Sequence, residues 1–167
     1  MSCSNATALA GAMIGTLLAA GTALAAPTTG SCSPTKVKFI ASDATFFQVT
    51  STSFVNVPQG VVNFTQGGTG PSCVIVGVSA DPTGVASSPP TPAPLTVRVM
   101  LDGTTAALPN EVDFSDGADT GNQVRSFDFI FPSVAPGDHS IRVQFKASPA
   151  SGFADLNRHN VIVNYAP

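Results

Sequence analysis

The 167-residue chain has no tryptophan, a single tyrosine, and charged side chains at only 10% of its positions, against roughly 25% in an average globular domain. Each shortage excludes something. Sugar faces stack chiefly on exposed Trp and Tyr, so a lectin built on stacked aromatics is disfavoured. The net charge is −3 and no Lys/Arg cluster occurs, which argues against a nucleic-acid partner. There are two histidines, His139 and His159. No G-x-S-x-G, H-E-x-x-H, phosphate-cradling glycine loop or close carboxylate pair accompanies them. A nucleophile, base and orienter cannot be assembled from this pattern, so the chain reads as non-enzymatic. After the first 26 residues no stretch keeps a helical period over eleven residues, which removes helical folds.

What remains is a set of short alternating runs behind an apolar leader. Asn5 to Ala26 carries no charge and ends in Ala23-Leu24-Ala25, a small-x-small site of the kind signal peptidase cuts, so residues 1–25 are expected to be a signal peptide. About 20 apolar residues would also span a bilayer, and a retained anchor is the competing reading. The small residues, Pro27 and the absence of a basic stop-transfer cluster favour cleavage, which leaves no membrane contact afterwards. Residues 26–44 read as an extended leader, with a short strand over Lys36 to Ile40, and residues 45–167 as the folded domain. Without Cys3, the mature chain keeps Cys32 and Cys73. In a secreted or periplasmic protein a disulfide between them is the default expectation.

Within the domain, Val124 to Phe145 places Phe127, Phe129 and Phe131 on one face of a strand. Ile141, Val143 and Phe145 lie on one face of the next, with Pro136-Gly137 between. This pattern predicts a β-hairpin with one apolar face. Thr45 to Val57, Val61 to Thr65, Leu95 to Leu101, Glu111 to Ser115 and Arg158 to Tyr165 read as further strands. Cys73 to Ala80, apolar almost throughout, reads as a central one. Pro58-Gln59-Gly60 reads as a turn, Asp102-Gly103 as another, and the proline-rich Asp81 to Pro94 as a long loop. Eight or nine short strands with frequent turns predict an all-β, antiparallel two-sheet sandwich of jelly-roll or immunoglobulin-like type.

Two clusters invite chemistry. His139 and His159 share the inward phase of their strands and could form a paired site, for a transition metal with Met100 or an Asp. The plainer reading is that each caps a strand by donating to a loop carbonyl. Glu111, Asp113, Asp116 and Asp119 bunch in a glycine-containing stretch. Such oxygen-rich loops bind calcium, although this spacing is not that of an EF-hand and a solvated acidic loop is the simpler account. No other cofactor is implied.

Three strings, Ser72 to Ala80 (SCVIVGVSA), Arg125 to Ala147 and Arg158 to Tyr165 (RHNVIVNY), resemble a family of uncharacterised exported bacterial proteins. That family shares a Cys-Val-Ile-Val strand and a Phe-Pro-Ser-Val-x-Pro-Gly-x-His turn. The chain is more distantly similar to chaperone–usher pilin subunits, in its export signal, its early cysteine paired some forty residues on, and Tyr165 near the C-terminus. The resemblances imply an exported β-sandwich of the cell envelope. The reading is thus a non-enzymatic structural or adhesion/binding module. A pilin-like assembly subunit is one alternative, and a calcium- or sugar-binding accessory domain another. Partners would be envelope proteins or further copies of the chain.

Overall fold

A computed structural model describes residues 29–42, 47–83, 94–115, 123–147 and 154–167 of the chain. The expected signal segment, most of the proline-rich loop, and Asp116 and Asp119 lie outside them. The strands are β1 (Lys36–Ser42), β2 (Phe47–Val49), β3 (Val55–Gln66), β4 (Ser72–Thr83), β5 (Leu95–Leu101), β6 (Thr105–Ala106), β7 (Val112–Ser115), β8 (Arg125–Val134), β9 (Gly137–Ala147) and β10 (Ala154–Tyr165). They form two five-stranded antiparallel sheets packed face to face. Sheet A has the order β1-β10-β4-β8, with β2 also on β10. Sheet B has the order β3-β9-β5-β6, with β7 also on β5. The predicted two-sheet antiparallel sandwich is therefore the fold. Because β1 pairs with β10 from Lys36↔Tyr165 to Ser42↔His159, the sandwich begins inside the span read as leader.

Alternation decides which side chains fill the space between the sheets. Val74, Val76 and Val78 of β4, Phe129 and Phe131 of β8, and Val161 and Val163 of β10 are buried from sheet A. Val97 and Val99 of β5 and Ile141, Val143 and Phe145 of β9 are buried from sheet B. As the continuous apolar run suggests, β4 lies between β10 and β8.

The expected hairpin does not form. β8 pairs with β4 in sheet A, whereas β9 pairs with β3 and β5 in sheet B, so the chain arches from one sheet to the other at Ala135-Pro136. Period-two alternation gives a strand its buried face but not its neighbour. Here the two apolar sets are stacked across the core rather than side by side on one surface. Gly137 takes φ 135° at the corner, a conformation open to glycine and costly for other residues. Phe127 keeps the inward phase but is exposed near the edge, its ring 5.3 Å from that of Phe129.

Two further expectations change. Pro58-Gln59-Gly60 is not a turn between strands but a bulge inside β3, where the register to β9 shifts between Asn56 and Val61 and Gln59 has φ 58°. Proline without an N–H, followed by a positive-φ residue, suits a bulge as well as a turn. Asp81-Pro82-Thr83 continues β4 instead of opening the loop, with Pro82 opposite Leu156. Asp102-Gly103 does form the expected turn. Both residues have positive φ, and the Thr104 N–H donates to the Leu101 carbonyl at 3.1 Å, the arrangement a two-residue hairpin favours.

Candidate functional site

The two outward faces of the sandwich differ. On sheet B, Phe54 sits between two cations, with the Arg98 guanidinium 4.0 Å and Lys146 Nζ 4.6 Å from its ring centroid. Arg98 Nε donates to Gln144 Oε1 at 2.7 Å, Gln144 Nε2 donates to Asn56 Oδ1 at 2.8 Å, and Lys146 Nζ meets Glu111 at 3.0 Å. This face is occupied by its own side chains.

Sheet A presents a different surface. Cross-strand partners share a face, and the register builds three rows on the outside of β1, β10, β4 and β8. These are Val37–Asn164–Ile75–Ile130, Phe39–Ile162–Gly77–Asp128 and Ala41–Asn160–Ser79–Ser126. The first two rows are largely apolar, and Phe39 is 69% exposed. Gly77 leaves a trough in the middle row, where an added Cβ would stand 3.1 Å from Asp128 Oδ1.

Beyond the third row the sheet is interrupted. Leu156 pairs with Pro82 but His159 pairs with Ala80, so Asn157 and Arg158 of β10 face the single residue Asp81 of β4. A bulge of this kind breaks the ladder and re-aims side chains. Beside it lies a cleft of about 330 Å³ lined by Ala41, Ser42, Ser79, Ala80, Asp81, Val124, Arg158, His159 and Asn160. Three of these residues carry buried polar atoms with no hydrogen-bond partner: Asp81 Oδ1, His159 Nε2 and Asn160 Oδ1. Burial lowers the pKa of His159, partly offset by a hydrogen bond to the Pro58 carbonyl. The ring is thus neutral near pH 7, and because Nε2 has no partner, Nδ1–H is the donor to Pro58. Sequence reasoning missed Asp81, read as a loop residue, and Asn160, read only as part of the last strand. An acidic residue directly after the apolar run Cys73 to Ala80 was the available signal.

The structure does not bring the two histidines together. His159 pairs with Ala80, which also pairs with Arg125 at the start of β8, whereas His139 lies just past the far end of β8, in the other sheet. The paired metal site is therefore not formed, and Met100 stands in β5 opposite Arg142. His139 clasps the arch instead. Its Nε2 is 2.9 Å from the Ala135 carbonyl and its Nδ1 is 2.8 Å from Asp102 Oδ2. The Ser140 N–H donates to Asp102 Oδ1 at 2.8 Å. Partial burial disfavours both charges, but their mutual hydrogen bond and the backbone contacts outweigh it, so His139 is raised and Asp102 lowered from their ordinary values.

Of the acidic stretch, Glu111 pairs with Lys146, and Asp113 Oδ1 accepts from Thr96 Oγ1 at 3.2 Å. Asp116 and Asp119 lie outside the described residues, among which no group of three or more His, Cys, Asp or Glu could hold a metal. Cys32 and Cys73 are bonded, with Cα atoms 5.8 Å apart, inside the usual disulfide range. Cys73 shares the outward phase of Ile75 and Gly77, so the bond staples the leader onto the outer face of sheet A.

No protein-family model and no curated protein matches the chain. Solved structures resemble it only weakly, among them the following three. The 4-O-methyl-α-glucuronidase BtGH115A is 13% identical with a TM-score of 0.44, over 86% of this chain but 19% of that one. The EclA C-terminal domain, a sugar-binding protein, is 11% identical at 0.39, over 87% and 86%. The CBM35 module of Abf62 from Cellvibrio japonicus is 13% identical at 0.37, over 79% and 99%. The chain thus spans about a fifth of the length of the first. These scores carry no functional argument.

Proposed function

We propose that the protein is an exported, non-catalytic binding module whose ligand site is the cleft at the Asp81 end of sheet A. One observation carries this reading: Asp81 and Asn160, from two adjacent strands, each keep an unpartnered buried side-chain oxygen beside one opening. Leaving a buried polar atom unsatisfied costs about 1–3 kcal/mol, and such groups in a folded protein call for a partner, which here the described side chains do not supply. The volume falls within the roughly 300–1,000 Å³ of small-molecule sites.

Export rests on the expected cleavage after Ala25 and on the Cys32–Cys73 bond, which suits an oxidising compartment. The pilin-like alternative is less well supported, because β10 is flanked on both sides by strands of its own chain, so along it no slot stands open for a donated strand. A dye-based melting screen tests the binding reading. Sugars, polyamines, divalent cations, amino acids and peptidoglycan fragments are each added to wild type and to Asp81→Asn. At least one class should raise the wild-type Tm and leave the variant unmoved. If no class does so, the reading fails.

A further inference from the structure

The unpartnered atoms at the cleft are of one kind. A carboxylate oxygen and an amide oxygen only accept hydrogen bonds; the His159 ring, on the inward phase of β10 and bonded to the Pro58 carbonyl of the opposite sheet, is not one of them. Whatever satisfies them must therefore be a multiple donor. Three kinds of partner fit that description: a metal or organic cation, water, and a polyol.

Charge and ligand count separate the first from the last. Arg158 lines the same cleft as Asp81, so the cleft carries charge of both signs and is not built for a cation alone. Calcium takes six to eight oxygens, and no metal-holding cluster exists among the described residues. An apolar contact is also on offer, because Val124, 74% exposed, and Ala41 border the acceptors. A sugar ring presents both surfaces at once, hydroxyl donors on its rim and C–H groups on its faces.

We propose that the cleft binds a neutral glycan, with Asp81 Oδ1 and Asn160 Oδ1 accepting from ring hydroxyls and Val124 packing on the C–H face. This deepens the binding-module reading and rests on it. It differs from the aromatic-stacking lectin that the scarcity of Trp and Tyr disfavours, since the ring is held by acceptors and an aliphatic wall. The glycan is an extended one. From Asn160 the trough over Gly77 leads along the outer face to Ile162 and Phe39, which gives successive sugar units a path and an apolar end.

The test is a titration of purified protein with soluble neutral oligosaccharides of two to six units, with oligogalacturonate, spermidine and calcium as comparisons. A neutral series should bind, and its hexamer should bind at least about tenfold more tightly than its dimer, a difference of about 1.4 kcal/mol. Asp81→Asn and Asn160→Ala should each weaken binding tenfold or more without a matching loss of Tm, and Arg142→Ala on sheet B should not. Should Asp81→Asn fail to fold, Asn160→Ala and Ser79→Val carry the same comparison.

Binding by neutral glycans that is indifferent to these substitutions would overturn the site. Stabilisation by spermidine or calcium alone, lost in Asp81→Asn, would overturn the glycan while leaving the binding module standing. If no ligand of any class acts, ordered water is the acceptors' partner and both readings fall.

Discussion

Burial pushes both imidazoles toward the neutral form, and what stands beside each ring decides the outcome. At His139 the carboxylate of Asp102 wins and the pKa rises. At His159 only the Pro58 carbonyl opposes burial, and the pKa falls. The consequences for stability have opposite signs. A histidine whose folded pKa lies above its unfolded value, near 6.5, stabilises most below pH 6.5 and loses that contribution as pH rises through the folded pKa. A histidine with a lowered folded pKa contributes fully above pH 6.5 and loses it as pH falls toward the folded pKa. Asp102, lowered, adds a contribution that is complete above its ordinary value of 3.8 and is lost as pH falls from there through its folded pKa. His139→Gln should therefore lose more stability relative to wild type at pH 5.5 than at pH 8. His159→Gln should show the reverse, losing more stability relative to wild type at pH 8 than at pH 5.5. Urea titrations at the two pH values measure both, and matching slopes for the two variants would contradict the opposed environments. Because Asp102 keeps nearly half of its side chain in solvent, which screens the pair, the effect at that site should be modest.

At the scale of the strand, β8 shows what alternation can and cannot specify. Phe129 is fully buried, whereas Asp128 beside it is exposed on the outer face. Phe129→Ala should cost about 3–5 kcal/mol by opening a phenyl-sized cavity between the sheets. Asp128→Ala should cost less than about 1 kcal/mol. A denaturant titration in which the two exchanged rank would put the strand in the other register. This inside/outside assignment was legible from Phe129, Phe131, Ile141, Val143 and Phe145 alone, as was the whole of β5. Which strands became neighbours was not. A two-residue period says only which face is apolar, and both a hairpin and an arch satisfy it. Pro136-Gly137 could not decide either, since a glycine free to adopt positive φ serves a turn within a sheet and a corner between sheets alike. Pro58-Gln59-Gly60 misled for the same reason.

On the scale of the whole molecule, the cleft was hidden because it belongs to no single segment. Asp81 and Asn160 stand 79 positions apart and meet only through the register of β4 with β10 and the bulge at Asn157-Arg158. The disulfide was legible, because removal of the expected signal segment leaves Cys32 and Cys73 as a pair, for which a bond is the default in an oxidising compartment. What the structure adds is where the bond sits. Cys73 faces outward from central β4, so the bond reaches over the outer face of sheet A to the leader, and Ile75, Leu108, Ile130 and Pro132 line a hollow with residues 29–32. The same leader continues into β1, whose side chains are mostly exposed and whose pairing is to β10 alone. Edge strands of this kind fray first unless tied down. The sequence separation is 41 residues, for which loss of chain entropy in the unfolded state gives roughly 4 kcal/mol. That is a large part of the roughly 5–15 kcal/mol by which domains are stable. The Cys32→Ser/Cys73→Ser double variant should therefore melt well below wild type, and wild type in reductant should follow it. Since β1 carries Phe39 and Ala41, the outer face should loosen before the core does. In native-state hydrogen exchange, the amides of residues 36–42 should lose protection on reduction while those of β5 and β9 keep theirs. Equal loss across both sheets would mean that the bond guards the whole fold and not its edge.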